Sequence, residues 1–192
     1  MRSPRCRCRR VRGSTQRACR SLEGVILHRN NSRLNNLTSS GRLADILARV
    51  PLGVRILDVG TDHGYIAIAL ALRGERVAAS DIAAAPLEKA RQNAARYSAD
   101  GLIDFHLCDG IPDALRGKLD CVVIAGMGGE TIIGILERAP WLRESVTTLV
   151  LQPQSKQPLL REWLIADGWT IPSDVTAQDG KRRNDVWAVT RS

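Results

Sequence analysis

The chain of 192 residues is short of aromatic side chains, with one phenylalanine, two tyrosines and four tryptophans. It has no run approaching the roughly 18 apolar residues that a membrane-spanning helix needs, which excludes a helical span. Acidic residues are missing altogether from positions 1–20, where eight arginines stand. Removing those eight from the 28 basic residues of the chain leaves 20 against 20 acidic ones, so the whole formal charge of +8 belongs to this segment. A neutral body lacks the electrostatic footprint of a non-specific polyanion binder. With 44% hydrophobic and 25% charged residues, the composition also excludes wholesale disorder.

Residues 1–36 read as an Arg-rich leader that cannot bury enough apolar surface to fold, and residues 37–192 as one domain. The leader has no apolar stretch of about 7–15 residues, so it is not a secretory signal. Three readings stay open for it: an organellar transit peptide, translation from a start upstream of the true one, or an arm that neutralises RNA phosphates. Cys6, Cys8 and Cys19 lie here and, even with His28, match no familiar zinc spacing, so no metal is expected. Cys108 and Cys121 fall in strand-like apolar runs and read as small buried hydrophobes. Without an export signal, a reduced, cytoplasmic setting is the expectation. Oligomeric state is left open by the sequence.

From residue 37 onward the pattern is regular. Ser39 or Ser40 can cap a helix carrying Leu43, Ile46, Leu47 and Val50, stopped by Pro51. VRILDV (54–59), RVAASD (76–81), IDFHLCD (103–109), LDCVVIAG (119–126) and TTLVLQ (147–152) read as strands. Between them, YIAIALAL (65–72) reads as a buried helix despite its alternation, because it is alanine-rich and follows a glycine turn directly. A helix opening at Pro86 carries Leu87, Ala90, Ala94 and Tyr97. ETIIGILERA (130–139) and a helix from Pro158 to Gly168 complete the alternation. WTIPSDVTA and DVWAVT close the chain as two strands around a turn. This order predicts an α/β fold with a mostly parallel seven-stranded sheet, an antiparallel edge pair, and helices on both faces. The closing pair distinguishes such a sheet from the six-stranded dinucleotide-binding fold.

In open α/β sheets the ligand lies beyond the carboxyl ends of the strands, so the residues that end strands carry the chemistry. The first strand ends in LDVGTDHGY (57–65), where Gly60 and Gly64 allow a tight turn and close backbone approach. A nicotinamide fingerprint would need glycines at 60, 62 and 65, but Asp62 and Tyr65 stand at the last two. A carboxylate at 62 repels a pyrophosphate and suits a cation such as the sulfonium of S-adenosylmethionine. Asp81 ends the second strand, 23 residues after Asp58, where an acid can take both ribose hydroxyls. Asp109 and Gly110 end the third, and Asp109 can accept from an adenine amino group or be a solvated turn residue. The fourth runs into AGMGG (125–129), expected as a corner that exposes backbone N–H groups. Gln152 ends the fifth, placed to read a base edge or simply to terminate the strand.

RLADIL before the sheet, LDVGTDHGY, AGMGGE and LQP, in this order, resemble the bacterial tRNA adenine-N1-methyltransferases that act on the D-arm adenine at position twenty-two. The likeness runs from about Leu37 to Arg191. It implies a Rossmann-like class I methyltransferase fold, S-adenosyl-L-methionine as donor and tRNA as substrate. With the strand-end reading, it places the donor on Asp58, Gly60, Asp62, Gly64, Asp81, Ile82, Asp109, Gly110, Ala125, Gly126 and Met127. The acceptor falls to Arg42, Gly128, Gln152 and Pro153. That family carries a helical extension after its catalytic domain, proposed to help hold tRNA, whereas this chain stops at Ser192, and the Arg-rich leader is no family feature.

Adenine N1 offers an in-plane lone pair and no proton, so alignment and charge placement are the protein's main tasks. Asp62 is the expected catalytic carboxylate, stabilising the cationic methylated base. His63 would orient it or serve as a buried structural histidine, and Tyr65 would stack on a base or be a core aromatic. Two other readings are a methyltransferase for another RNA site or a small molecule, and a silent RNA-binding module on the same fold.

Overall fold

The computed structural model describes residues 41–146, 148–172 and 185–191. The leader, its cysteines, the Ser39/Ser40 cap and most of the penultimate strand lie outside these residues. Six strands form one sheet in the order β3-β2-β1-β4-β5-β6. In chain order the elements are α1 (Gly41–Arg49), β1 (Arg55–Val59), α2 (Tyr65–Leu72), β2 (Arg76–Asp81), α3 (Ala84–Arg96) and β3 (Ile103–Leu107). They continue with β4 (Cys121–Gly128), α4 (Gly129–Glu137), α5 (Leu142–Ser145), β5 (Thr148–Ser155), α6 (Gln157–Ala166) and β6 (Trp187–Thr190). All neighbouring pairs are parallel except β5 with β6. The expected seventh strand is represented among the described residues by a single antiparallel bridge, Thr170 to Thr190. The last strand thus sits between β5 and Thr170.

Alternation along the strands divides the core in two. Ile56, Val77, Val123 and Val150 face α1 and α2, while Leu57, Val122, Ile124 and Leu149 face α4 and α6. Helix α2 is buried from Ala67 to Leu72, which explains its ambiguous sequence. A helix covered on nearly all sides carries no amphipathic period. The helix expected to open at Pro86 begins instead at Ala84. Pro86 remains in the first turn, where a missing N–H breaks no intrahelical bond.

Strand order reverses between β1 and β4: from β1 the chain proceeds to β2 and β3 on one side, and from β4 to β5 on the other. The loops leaving β1 and β4 therefore diverge around a crevice, the place where this architecture receives ligands. Among the described residues no helix is long and apolar enough to cross a membrane, and no cluster of three His, Cys, Asp or Glu side chains could hold a metal ion.

Candidate active site

The loop after β1 is a tied corner. Gly60 and Thr61 both donate their amides to the Ser80 carbonyl at the end of β2, at 2.8 and 3.0 Å. Asp58, buried at 1% exposure, accepts from the Thr61 hydroxyl at 2.7 Å and from the Ala67 amide at the start of α2. Burial pushes its carboxyl up to about 6. The nearby Asp81 charge pushes the same way, and the two hydrogen bonds pull against both.

Asp62 adopts a left-handed backbone conformation at φ 50°. Its amide donates to Asp81 Oδ2 at 3.1 Å, and its own Oδ2 lies 2.7 Å from His63 Nδ1. The His63 ring stacks near Tyr65, with centroids 6.2 Å apart and planes within 16°. His63 is half-exposed and Tyr65 is 44% exposed, which overturns both the buried-histidine and the core-aromatic readings. The His63 carbonyl accepts from Asn93 Nδ2 at 2.9 Å, a buried polar side chain in α3.

The two glycines of this loop serve different ends. A side chain at Gly60 would begin 2.0 Å from Met127 Cε, so the β1 loop and the β4 end touch there. At Gly64 a Cβ would lie 2.9 Å from Ala90 Cβ and 3.2 Å from Ala90 Cα. The glycine at 64 is required by the packing of the loop on α3.

Asp81 itself is 8% exposed. Oδ2 takes the Asp62 amide and Oδ1 the Ala83 amide at 2.9 Å, leaving each oxygen one further acceptor position. Ile82 follows with 69% of its surface exposed. Ser80, fully buried, donates its hydroxyl to the Gly110 carbonyl at 2.8 Å and so ties the third loop to the second. Asp109 is held by Arg138 at 2.9 Å through one carboxylate oxygen. Cys108 is only part-buried, and its thiol donates to the Gly110 carbonyl, so it is no simple core hydrophobe. Cys121 is the buried thiol, pushed up to about 12 by burial.

The AGMGG segment is not the open corner expected. Ala125 to Gly128 remain in β4, paired with β5 through two register shifts, and α4 starts at Gly129. The Gly126 amide is already taken, by Gln152 Oε1 at 3.1 Å. Gln152 is 2% exposed and braces the segment from beneath, so it does not present its edge to a base. Pro153 is likewise buried, opposite Met127 in the register. At Gly126, with φ 82°, a side chain would begin 3.5 Å from Arg42 Nη1 and 3.6 Å from Gln154 Nε2. Arg42 is thereby brought from α1 to the segment. At Gly128 it would begin 3.0 Å from Ser155 Oγ.

At Gly129 a side chain would begin 2.6 Å from the Lys156 carbonyl and 3.0 Å from that of Ser155, both backbone. Gly129→Ala is therefore expected to force β4 and β5 apart and to destabilise the domain by about 1–3 kcal/mol, the usual cost of overpacking. A urea midpoint indistinguishable from the parent's would refute this.

Asn93, Ser80, Thr61, Arg138 and Gln154 escaped the sequence reading. The signal available for Asn93 and Ser80 was a polar residue inside an alanine-rich helix face and an apolar strand; for Thr61, Arg138 and Gln154 no local pattern marked a role.

Residues 39–186 match a family described as a methyltransferase domain. The tRNA (adenine(22)-N(1))-methyltransferase of Bacillus subtilis is 29% identical over 151 residues. That alignment covers 77% of this chain but 63% of the relative, so the chain spans less than two thirds of its length. A protein of the NADB-Rossmann superfamily from Streptococcus agalactiae is 32% identical, with a TM-score of 0.69 over 80% of this chain and 68% of that one. A Streptococcus pneumoniae protein in complex with S-adenosyl-L-methionine is 29% identical, with a TM-score of 0.70 over 80% and 73%.

Proposed function

The chain belongs to the methyltransferase-domain family, and from that premise we propose that it transfers a methyl group from S-adenosylmethionine to N1 of an adenine in tRNA, the D-arm adenine at position twenty-two. The observation that carries this is the coupling of two carboxylates at the switch point: Asp81 holds the amide of Asp62, and Asp62 stands exposed on the loop where donor and acceptor would meet. The Bacillus subtilis relative supports the choice of acceptor.

The residues fit the donor. The two spare acceptor positions on Asp81 suit the paired ribose hydroxyls, and exposed Ile82 gives an adenine ring an apolar face. Asp58 supplies negative charge near a cationic group. When bound, S-adenosylmethionine supplies an electrophilic methyl on a sulfonium centre.

The chain's own work is alignment and charge. With Oδ2 directed to His63, the other oxygen of Asp62 is left to face the acceptor. The adenine N1 lone pair attacks without losing a proton, and positive charge develops on the ring. Asp62 stabilises that charge, or accepts a proton from the exocyclic amine as it becomes acidic. Tyr65, stacked beside His63, offers an exposed face to a base that has been turned out of its stack.

Asp58 makes donor binding pH-dependent. A cationic donor favours the ionised carboxylate, so affinity should rise with pH through about 6 and level off above about 7. Below 6 the slope should approach tenfold per pH unit. In the free protein the same raised value means that the folded state holds more protons than the unfolded state between about 4 and 6. Its contribution to stability therefore declines as pH rises through that window. Calorimetric titration from about pH 5 to 8 checks this, and Asp58→Asn should flatten the binding profile; an equally steep profile in that variant would exclude Asp58 as the source.

The function itself is tested by incubating the full chain with labelled donor and bulk tRNA, followed by nucleoside analysis. Label is expected in 1-methyladenosine. Label in another nucleoside, or none despite saturable donor binding, would overturn the proposal.

A further inference from the structure

Resting on that reading, we propose that Gln154 reads the Hoogsteen edge of the acceptor adenine and so selects adenine over guanine. Methylation at N1 requires the Watson–Crick edge to face the donor methyl. The groups left for the protein to recognise are then N7 and the N7-side hydrogen of the exocyclic amine, on the adjacent Hoogsteen edge. A carboxamide matches that pair, accepting from the amine and donating to N7, whereas guanine offers two acceptors and leaves the carboxamide oxygen unpaired.

The structure narrows which side chain can do this. Two glutamines lie two residues apart on β5, and both reach Gly126. Gln152 is spent on the Gly126 amide and is buried. Gln154 is exposed, with Nε2 3.6 Å from the point where a Gly126 side chain would start, and its carboxamide has no hydrogen-bond partner among the described residues. Arg42 comes to the same point at 3.5 Å, but a guanidinium cannot accept from an amine, so it cannot read the adenine pair. Gly126 keeps the space between them open. The next residue, Met127, touches Gly60 on the donor loop, so this space adjoins the site where the methyl would be delivered.

The test uses a tRNA assembled from synthetic halves, carrying either adenosine or 7-deazaadenosine at the D-arm position. The full chain, Gln154→Ala and Gln154→Glu are compared on both, with the donor dissociation constant as a control for intact folding. The parent is expected to lose about tenfold in kcat/KM on the 7-deaza substrate. Gln154→Ala should lose about as much on adenosine and nothing further on 7-deazaadenosine. Gln154→Glu, which can accept from the amine but repels N7, should favour the 7-deaza substrate. Equal 7-deaza penalties in all three proteins, or none in the parent, would overturn the inference while leaving methyl transfer to tRNA standing. A parent that binds donor but methylates neither RNA would overturn the tRNA reading and the inference together.

Discussion

The Asp62→Asn variant is expected to transfer methyl groups about 10²–10³-fold more slowly than the parent, the loss typical of one preorganised electrostatic group. Asparagine keeps the shape of the side chain and is among the few residues at ease at φ 50°, so the corner should survive. Its amide still donates to Asp81, and its carbonyl can still accept from His63 Nδ1. What disappears is the negative charge beside the ring that becomes cationic. Because that interaction strengthens as charge develops, the loss should fall on kcat and leave donor affinity nearly untouched. Single-turnover methylation with donor saturating isolates the step. A rate within threefold of the parent would remove Asp62 as the catalytic carboxylate and leave alignment as the main source of rate.

Much of this site was legible because strand ends and glycine turns are local. Gly60 and Asp81 follow from where β1 and β2 stop, and the sheet order follows from alternating elements. The crevice between β1 and β4 is then a consequence of topology. What was not legible depends on which surface each residue meets after folding. Gln152 and Gln154 share one face of one strand, yet one is sealed beneath Gly126 and the other stands exposed, because the register shifts at Ala125–Gly128 end the regular pairing between them. Nothing local to Gly64 signals that Ala90, 26 residues away in α3, also demands a glycine there. No local pattern marked the partner of Asn93, the His63 carbonyl 30 residues earlier. Periodicity reports burial along one element and is silent about partners on another.

Asp81 joins the two halves of the mechanism, and its removal should show in both. Truncation in Asp81→Ala takes away the acceptor for the ribose hydroxyls, so donor binding should weaken by about 1.5–3 kcal/mol, the range for hydrogen bonds to a charged group. It also strips the partner from the Asp62 amide, which is what holds a non-glycine residue in the left-handed region. Asp62 should then sample other conformations, and kcat should fall even with donor saturating. The Ala83 amide at the start of α3 loses its acceptor as well, so a modest loss of stability accompanies the change and must be measured separately, by urea unfolding without donor. A double-mutant cycle with Asp62→Asn separates the two roles. In donor affinity the two changes should add, because Asp62→Asn leaves binding nearly intact. In kcat they should be far from additive: once the charge at 62 is gone, misplacing that side chain costs little more. If Asp81→Ala weakens donor binding but leaves kcat at saturation unchanged, the Asp62–Asp81 hydrogen bond carries no catalytic weight and Asp81 acts through the ribose alone.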